Sequence, residues 1–308
     1  MSRVKGRGPQ APRREPDRSI TLRLPLRRIA GLFGLLLGLS AAGAAGWWWY
    51  QRPPSPPRVS LDGAQAAVRI KVDAAVAAVE RDARSPVAWG ELGMVYQAHD
   101  FDAEAATCYQ QAARAAPKAP RWPYLEALAL ATSDPQAALE ALRRAQRIGA
   151  EGLAVDWHEG NLLFALDRPA EAAEAFDRGL AHDPTSAPLL SGKGRLALQS
   201  GKTEEAITVL ERAIAADPSW AESYVLLAQA YGRAGRDEDS RKLALLARAI
   251  QKQDQVGPPD RVFQAVVERG VSVRWLIRRG QAAAQGGRLE DADALFRQAI
   301  AADPTVAA

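Results

Sequence analysis

Cysteine and histidine, on which much protein chemistry depends, are scarce in this chain of 308 residues. Cys108 is the single cysteine, which excludes an intramolecular disulfide, a zinc site built from cysteines and a haem attachment site of the CxxCH type. The three histidines, His99, His158 and His182, lie far apart in the sequence and predict no histidine metal cluster. We therefore expect no metal and no cofactor.

Motifs of catalysis are also missing from the sequence. The segment SGKT at 200–203 resembles the end of a phosphate-binding loop, but Leu196 stands where the loop needs its first glycine. The glycine of this segment is typical of a turn between two helices. His158 is not followed by a second histidine four residues later, which excludes the HExxH pattern of zinc proteases. With no nucleophile placed beside a base, we expect that the chain is not an enzyme.

Positive charge is concentrated at the amino terminus. Residues 1–28 contain nine basic and two acidic residues, a net charge of +7, although the whole chain carries only +4. The other 280 residues therefore carry a net charge of −3. This distribution argues against a basic nucleic-acid-binding face on the main part of the chain and points to a membrane.

Residues 29–50 form an uncharged segment of 22 residues, which predicts a transmembrane helix. Such a helix is roughly 33 Å long, enough to cross a hydrocarbon core of about 30 Å. Because basic residues stay on the cytoplasmic side, we expect a single-pass protein of the bacterial inner membrane with a cytoplasmic amino terminus and a periplasmic remainder. The predicted anchor residues at the two ends of the segment are Arg27, Arg28, Trp47, Trp48, Trp49 and Tyr50.

Two further interpretations concern the same segment. Ala42-Gly43-Ala44 fits a signal-peptidase site, so the segment is alternatively a cleaved signal peptide. A ridge of small residues at every fourth position favours a homodimer through close helix packing, although such residues are also common in membrane helices generally. The ridge consists of Gly34, Gly38, Ala42 and Gly46.

The sequence of the rest of the chain predicts a proline-rich linker followed by a series of helical repeats. We predict a linker over 51–62, a lead-in helix over 63–85, repeats over 86–255, a linker with a short helix over 256–270, and a last repeat over 271–308. The period is visible in the prolines, because Pro184 and Pro218 are 34 residues apart and Pro117 precedes Pro184 by 67. Periods of this length indicate a helical solenoid.

The segment 86–117 carries the full repeat pattern, formed by Trp89, Leu92, Gly93, Tyr96, Ala105, Tyr109, Ala112 and Pro117. In these residues and spacings the sequence resembles the tetratricopeptide repeat (TPR), a helix–turn–helix unit. The pattern recurs from Leu153, Ala187, Ala221 and Val273, and in weaker form around Trp122. We therefore predict an all-α TPR solenoid of about six repeats, preceded by a single transmembrane helix.

The resemblance implies a scaffold whose concave groove, lined by the first helix of each repeat, binds a partner protein or peptide. Carried onto this chain, the family's groove positions include Trp157, Asn161, Arg195, Gln229 and Arg233. The predicted setting is assembly or maturation of an envelope or exported protein complex, with cytochrome c maturation as one candidate. The alternative is a structural component that self-associates or bridges subunits without capturing a peptide.

Overall fold

The structure, a computed structural model, describes residues 54–250 and 257–302. The basic tail, the predicted membrane helix over 29–50 with its anchor residues, and the small-residue ridge lie outside the described residues. Among the helices that are described, none combines the length and hydrophobicity needed to cross a bilayer.

The described residues form α-helices and no β-strand. The fourteen helices are α1 (Ala66–Arg81), α2 (Pro86–Gln97), α3 (Asp102–Ala115), α4 (Arg121–Leu130), α5 (Pro135–Arg147), α6 (Leu153–Ala165), α7 (Pro169–His182), α8 (Ala187–Gln199), α9 (Thr203–Ala216), α10 (Ala221–Arg233), α11 (Asp237–Ile250), α12 (Arg261–Val267), α13 (Val273–Gln285) and α14 (Leu289–Ala302).

Twelve of these helices form six pairs in chain order. Repeats one to five are the pairs α2–α3, α4–α5, α6–α7, α8–α9 and α10–α11, and the sixth pair is α13–α14. Helix α1 packs on α2 through one stripe of valines: Val68, Val72, Val76 and Val79 are all buried. The all-α helical-repeat architecture expected from the sequence is confirmed.

In four of the six pairs, the two helices approach closely because a glycine of the first helix faces a large side chain of the second. A Cβ atom on Gly93 would lie 2.7 Å from the Tyr109 ring, and one on Gly160 would lie 2.3 Å from the Phe176 ring. The same geometry recurs between Gly280 and Phe296. Any larger residue at these glycines would force the helices apart, which explains the glycine of the repeat pattern.

In five of the six pairs, the turn between the two helices contains a residue with positive φ. Gly201 has φ +73° there, so the glycine of the SGKT segment belongs to this turn. In the first and third repeats Asp100 and Asp167 take the same role, with φ 66° and 55°. Aspartate tolerates this left-handed conformation better than most side chains, which makes an acidic turn compatible with the repeat.

The regular stacking of repeats stops after the fifth pair. In an uninterrupted solenoid, α13 would pack against α10 and α11. Among the described residues, it makes no contact with them comparable to those between the successive pairs of repeats one to five. The segment between them, residues 257–270, contains α12 and returns to α2 and α4 near the start of the array. The sixth pair is therefore joined to the first five by a segment that folds back on them.

Candidate functional site: the face formed by the first helices

The first helices of the repeats share one face of the array, which we call the inner face (α2, α4, α6, α8 and α10). Helices α6 and α8 contact each other, as do α8 and α10, whereas the described second helices make no comparable contacts with one another. The first helices thus lie on the more tightly packed side of the stack. Side chains from different repeats meet on this face.

A polar strip crosses the inner face of repeats three to five. Arg195 of α8 donates one hydrogen bond to the amide oxygen of Asn161 on α6 and another to Glu222 Oε1 on α10, at 3.2 Å. Its guanidinium lies over the Phe164 ring, 4.4 Å from the centroid. Burial raises the pKa of Glu222, and the neighbouring Arg195 opposes that effect. We call Asn161, Phe164, Arg195 and Glu222 the polar strip.

The remaining predicted groove residues do not join the polar strip in one cluster. Arg233 donates to the backbone carbonyl of Leu198 and so binds the end of α8. Gln229 is exposed beside a cavity of about 420 Å³ between α10 and α11, which Val225 and Arg248 also border. The structure thus brings Asn161 and Arg195 together and places Gln229 and Arg233 elsewhere; their role in peptide binding stays a prediction.

Trp157 contacts the chain's own linker. A Cβ atom on Gly257 would lie 2.6 Å from the Trp157 ring, so the backbone of this glycine rests directly against the indole. The ring of His158 stands nearly perpendicular to that of Trp157, with centroids 4.8 Å apart. The aromatic surface that the sequence predicts for a partner is partly covered by residue 257 itself.

The linker continues along the inner face of repeats one to three, and its apolar contacts come from α12. Val266 is fully buried and belongs to the core formed by α1 to α4. One turn earlier, Val262 packs against this core and also against a second core formed by repeats two to four. Phe263 adds a further contact to the first core. Helix α12 therefore inserts one apolar side between the first helices.

A polar cluster holds the amino-terminal end of α12. Asp260 caps the helix, because its Oδ1 accepts from the backbone N–H groups of Val262 and Phe263 at 2.8 and 2.9 Å. Its Oδ2 accepts from the hydroxyl of Tyr124 at 2.6 Å and lies 4.0 Å from His158 Nε2. Burial raises the pKa of Tyr124, and the nearby carboxylate raises it further. Burial lowers the pKa of His158 to about 4, against the attraction of Asp260.

An ion pair holds the other end of the segment. Arg269 donates to both carboxylate oxygens of Glu91 on α2, at 2.6 and 3.0 Å. This geometry lowers the pKa of Glu91, mainly through the hydrogen bond from Arg269. Two-point pairing of arginine with a carboxylate is stronger and more specific than a single contact. A second ion pair, between Arg274 and Asp100 at 2.9 Å, joins α13 to the turn of the first repeat.

Buried carboxylates also connect the repeats, and the sequence patterns did not indicate them. Glu159 accepts from Arg178 at 2.5 Å and from Gln146 at 2.7 Å, so that α5, α6 and α7 share one network. Glu126 of α4 accepts from Arg144 of α5 at 2.8 Å and from Gln110 of α3, in the preceding repeat, at 2.9 Å. Each carboxylate has its own cation, which is the arrangement of a structural ion pair. In the described part of the chain, no group of three or more potential ligands is placed to hold a metal ion.

The docking of residues 257–270 was also missed by sequence reasoning. A short apolar helix was expected there, and the structure places α12 within it. The signals of a docked helix are present, since Asp260 precedes it as a cap and Val262 and Val266 are one turn apart. These signals do not identify the receiving surface, which lies 136 residues away at Tyr124 and 178 residues away at Glu91.

Two sequence models described as tetratricopeptide repeat match the chain. One matches residues 163–229 and 197–256, and the other matches residues 127–187 and 261–307. Together they extend over residues 127–256 and 261–307, which is more than half of the 308 residues. The match therefore includes most of the second repeat, repeats three to five and the sixth pair.

Similar known proteins share short stretches with this chain. The TPR repeat-containing thioredoxin TTL4 of Arabidopsis thaliana is 31% identical over 83 residues, 27% of this chain and 12% of that protein. The protein STIP1 homolog of Dictyostelium discoideum is 29% identical over 98 residues, 32% of this chain and 17% of that protein. The aligned part of this chain thus spans less than a fifth of either relative.

Solved structures share the fold at low sequence identity. The Cut9–Hcn1 hetero-tetramer of APC/C superposes with a TM-score of 0.51 at 15% identity, covering 79% of this chain and 44% of that chain. PilW, a type IV pilus biogenesis factor, gives a TM-score of 0.49 at 22% identity, covering 71% and 94%. At these identities the likeness concerns the fold alone. The paired helices, their period and the matching sequence models show that this chain belongs to the tetratricopeptide repeat family.

Proposed function

We propose that this protein is a membrane-anchored scaffold that binds a segment of a partner protein on the inner face of its repeats. Residues 29–50 anchor the chain, the amino terminus is cytoplasmic, and the array faces the periplasm. The protein holds its partner close to the membrane during assembly or maturation of an envelope or exported complex, with cytochrome c maturation as one candidate pathway. It has no catalytic role of its own in this proposal.

The observation that carries the proposal is the polar strip on α6, α8 and α10. Its Asn161, Arg195 and Glu222 side chains supply donors and acceptors from three successive repeats, and Phe164 supplies an apolar ring. Arg195 and Glu222 each keep about a quarter to a third of the side chain exposed, at 26% and 33%. An extended or helical segment with one charged group and an apolar stretch has complementary chemistry.

Partner capture by the full chain tests this function. The tagged protein is cross-linked in intact cells, purified from solubilised membranes, and its partner is identified by mass spectrometry. The test variant is Arg195→Glu, which reverses the central charge of the strip. The matched control is Arg212→Glu, the same change at an exposed position of the second helix α9. We expect recovery of one stoichiometric partner to fall at least ten-fold with Arg195→Glu and to stay unchanged with Arg212→Glu.

The alternative function gives a different result in the same experiment. A self-associating component, for example one that dimerises through Gly34, Gly38, Ala42 and Gly46, yields cross-links between copies of the chain and no second protein. Equal recovery of a partner from both variants places binding outside the polar strip. Either result contradicts the proposal.

A further inference from the structure

We propose that the inner face of the first three repeats is a binding site for a short amphipathic helix and that residues 257–270 occupy it as a ligand supplied by the chain itself. A partner enters this site by displacing the segment with a helix of the same chemistry. The inference rests on the proposed scaffold function, because it names the kind of partner that the first three repeats accept.

The occupied site recognises three features of the segment. Tyr124 and His158 receive an acidic residue at the start of the helix, in the place of Asp260. Two apolar cores, one formed by α1 to α4 and the other by repeats two to four, receive two apolar residues one turn apart, in the places of Val262 and Val266. Glu91 receives an arginine three residues after the second apolar residue.

The segment resembles a bound ligand more than a member of the array. Helix α12 has seven residues, too few for a stable helix in water, so its shape depends on the surface that receives it. It is preceded by Gly257-Pro258-Pro259, and Gly270 after it packs against the Trp275 ring of α13. Its side away from the array, with Arg261, Gln264 and Glu268, is exposed. The five regular pairs pack on each other without it.

The two end contacts determine which partner helix fits. Asp260 uses one oxygen to cap its own helix and the other to accept from Tyr124, so a carboxylate at the helix start serves both functions. Glu91 is paired through two nitrogens of a guanidinium, a geometry that lysine cannot reproduce. The expected partner therefore carries an acidic cap, two aliphatic or aromatic residues at i and i+4, and an arginine at i+7.

A fluorescent peptide with the sequence of residues 257–271 tests the proposal on the purified full chain. In the wild-type chain the tethered segment competes at an effective concentration on the order of millimolar, so the peptide binds weakly. Arg269→Glu in the chain places two carboxylates against each other and releases the tethered segment. We expect fluorescence anisotropy to show at least ten-fold tighter peptide binding to this variant than to the wild type.

The control is Arg261→Glu, the same charge reversal in the same helix at an exposed position, which should bind the peptide as weakly as the wild type. A charge exchange then tests the site itself. The chain variant Glu91→Arg should reject the native peptide and bind a peptide in which the equivalent of Arg269 is glutamate. This reciprocal preference is expected only if the peptide occupies the position of the native segment.

Three results would overturn the proposal. The first is that the Arg269→Glu chain binds the peptide no more tightly than the Arg261→Glu chain does. Absence of peptide binding to both chains counts as this result. Another is equal binding of the native peptide to the Glu91→Arg and Arg269→Glu chains. If Arg269→Glu lowers the melting temperature too far for the assay, the variant Asp260→Ala is used instead, because it releases the other end of the segment. The third contradicting result is that the Asp260→Ala chain binds the peptide no more tightly than the wild type. These outcomes need no natural partner, so they are independent of the Arg195 capture experiment.

Discussion

At the residue scale, the repeat depends on positions where only a hydrogen fits between two helices. Gly160 is such a position, since a Cβ atom would lie 2.3 Å from the Phe176 ring. Gly232 is also helical and its Cβ atom would meet only the Ser240 hydroxyl, at 3.5 Å. Substituting each glycine by alanine therefore distinguishes two effects. At Gly160 the added methyl group disturbs the packing of two helices, whereas at Gly232 it changes only the helix propensity.

We expect Gly160→Ala to lower the free energy of unfolding by about 1–3 kcal/mol, because the helices must move apart or Phe176 must leave its place. Gly232→Ala should leave it unchanged or raise it by up to about 1 kcal/mol, since alanine favours the helix. Urea denaturation followed by circular dichroism measures both. Equal effects of the two substitutions would contradict the assigned register of the helix pairs.

His158 is the residue whose protonation should matter most to stability. Its pKa is lowered by burial from 6.5 to about 4, so the folded chain binds this proton less readily than the unfolded chain. The resulting stability is complete above about pH 6.5 and is lost as the pH falls toward 4, by roughly 3 kcal/mol in total.

The variant His158→Phe keeps a ring beside Trp157 and Tyr124 but cannot be protonated. We expect the melting temperature of the variant minus that of the wild type to be more positive at pH 5 than at pH 7.5. This holds whichever protein is the more stable at neutral pH. A parallel pH dependence of the two proteins would show that His158 does not titrate in this window.

At the element scale, ion pairs lie both between the two helices of one repeat and within single helices. Arg178 of α7 pairs with Asp156 and Glu159, two carboxylates of α6 whose side chains are about nine-tenths buried. Lys242 of α11 pairs with Glu238 in a fully surface setting. The comparison of these two pairs isolates the effect of burial.

We expect Arg178→Ala to lower the free energy of unfolding by about 1–2 kcal/mol, because it leaves two buried carboxylates with less compensation; the partial exposure of Arg178 limits the loss. Lys242→Ala should change it by no more than about 0.5 kcal/mol. Thermal melts at low and high salt measure both effects. A smaller loss for Arg178→Ala than for Lys242→Ala would show that the carboxylates are hydrated in solution.

The elements themselves were largely predictable from the sequence, and their contacts only in part. The spacing of Trp89, Gly93 and Tyr109 identifies a helix pair because these residues pack on each other within one repeat. The contacts of Arg269 with Glu91 and of Asp260 with Tyr124 join distant parts of the chain, and no local pattern records them. The buried Glu159 was missed for the same reason, since its cations lie on two neighbouring helices.

At the scale of the whole molecule, the chain returns to its first repeat after the fifth. Arg269 and Arg274 pair with residues of the first repeat, Glu91 and Asp100. The outer side of α11, where a continuous solenoid would place its next repeat, exposes Leu245 and Leu246 instead. A repeat protein of this kind is not a simple row of independent units, because its last pair is positioned by a segment that depends on repeats one to three.

The last prediction concerns the position of this array relative to the membrane. The net charge of +7 on residues 1–28 and the uncharged segment 29–50 predict that everything after residue 50 is exported. Alkaline phosphatase, which requires the oxidising periplasm, should therefore be active when fused after Ala308. The same fusion on a chain that begins at residue 54 should be inactive.

A second measurement on the same fusion distinguishes the anchor from a cleaved signal peptide. An uncleaved anchor keeps the full-length fusion in the membrane after alkaline carbonate extraction. Cleavage after Ala44 would shorten the chain by 44 residues and release the fusion in soluble form. Activity of a reporter that functions only in the cytoplasm, fused at the same place, would contradict the predicted topology. In that case the inner face of the repeats would meet cytoplasmic partners, and the proposed periplasmic role in assembly or maturation would be wrong.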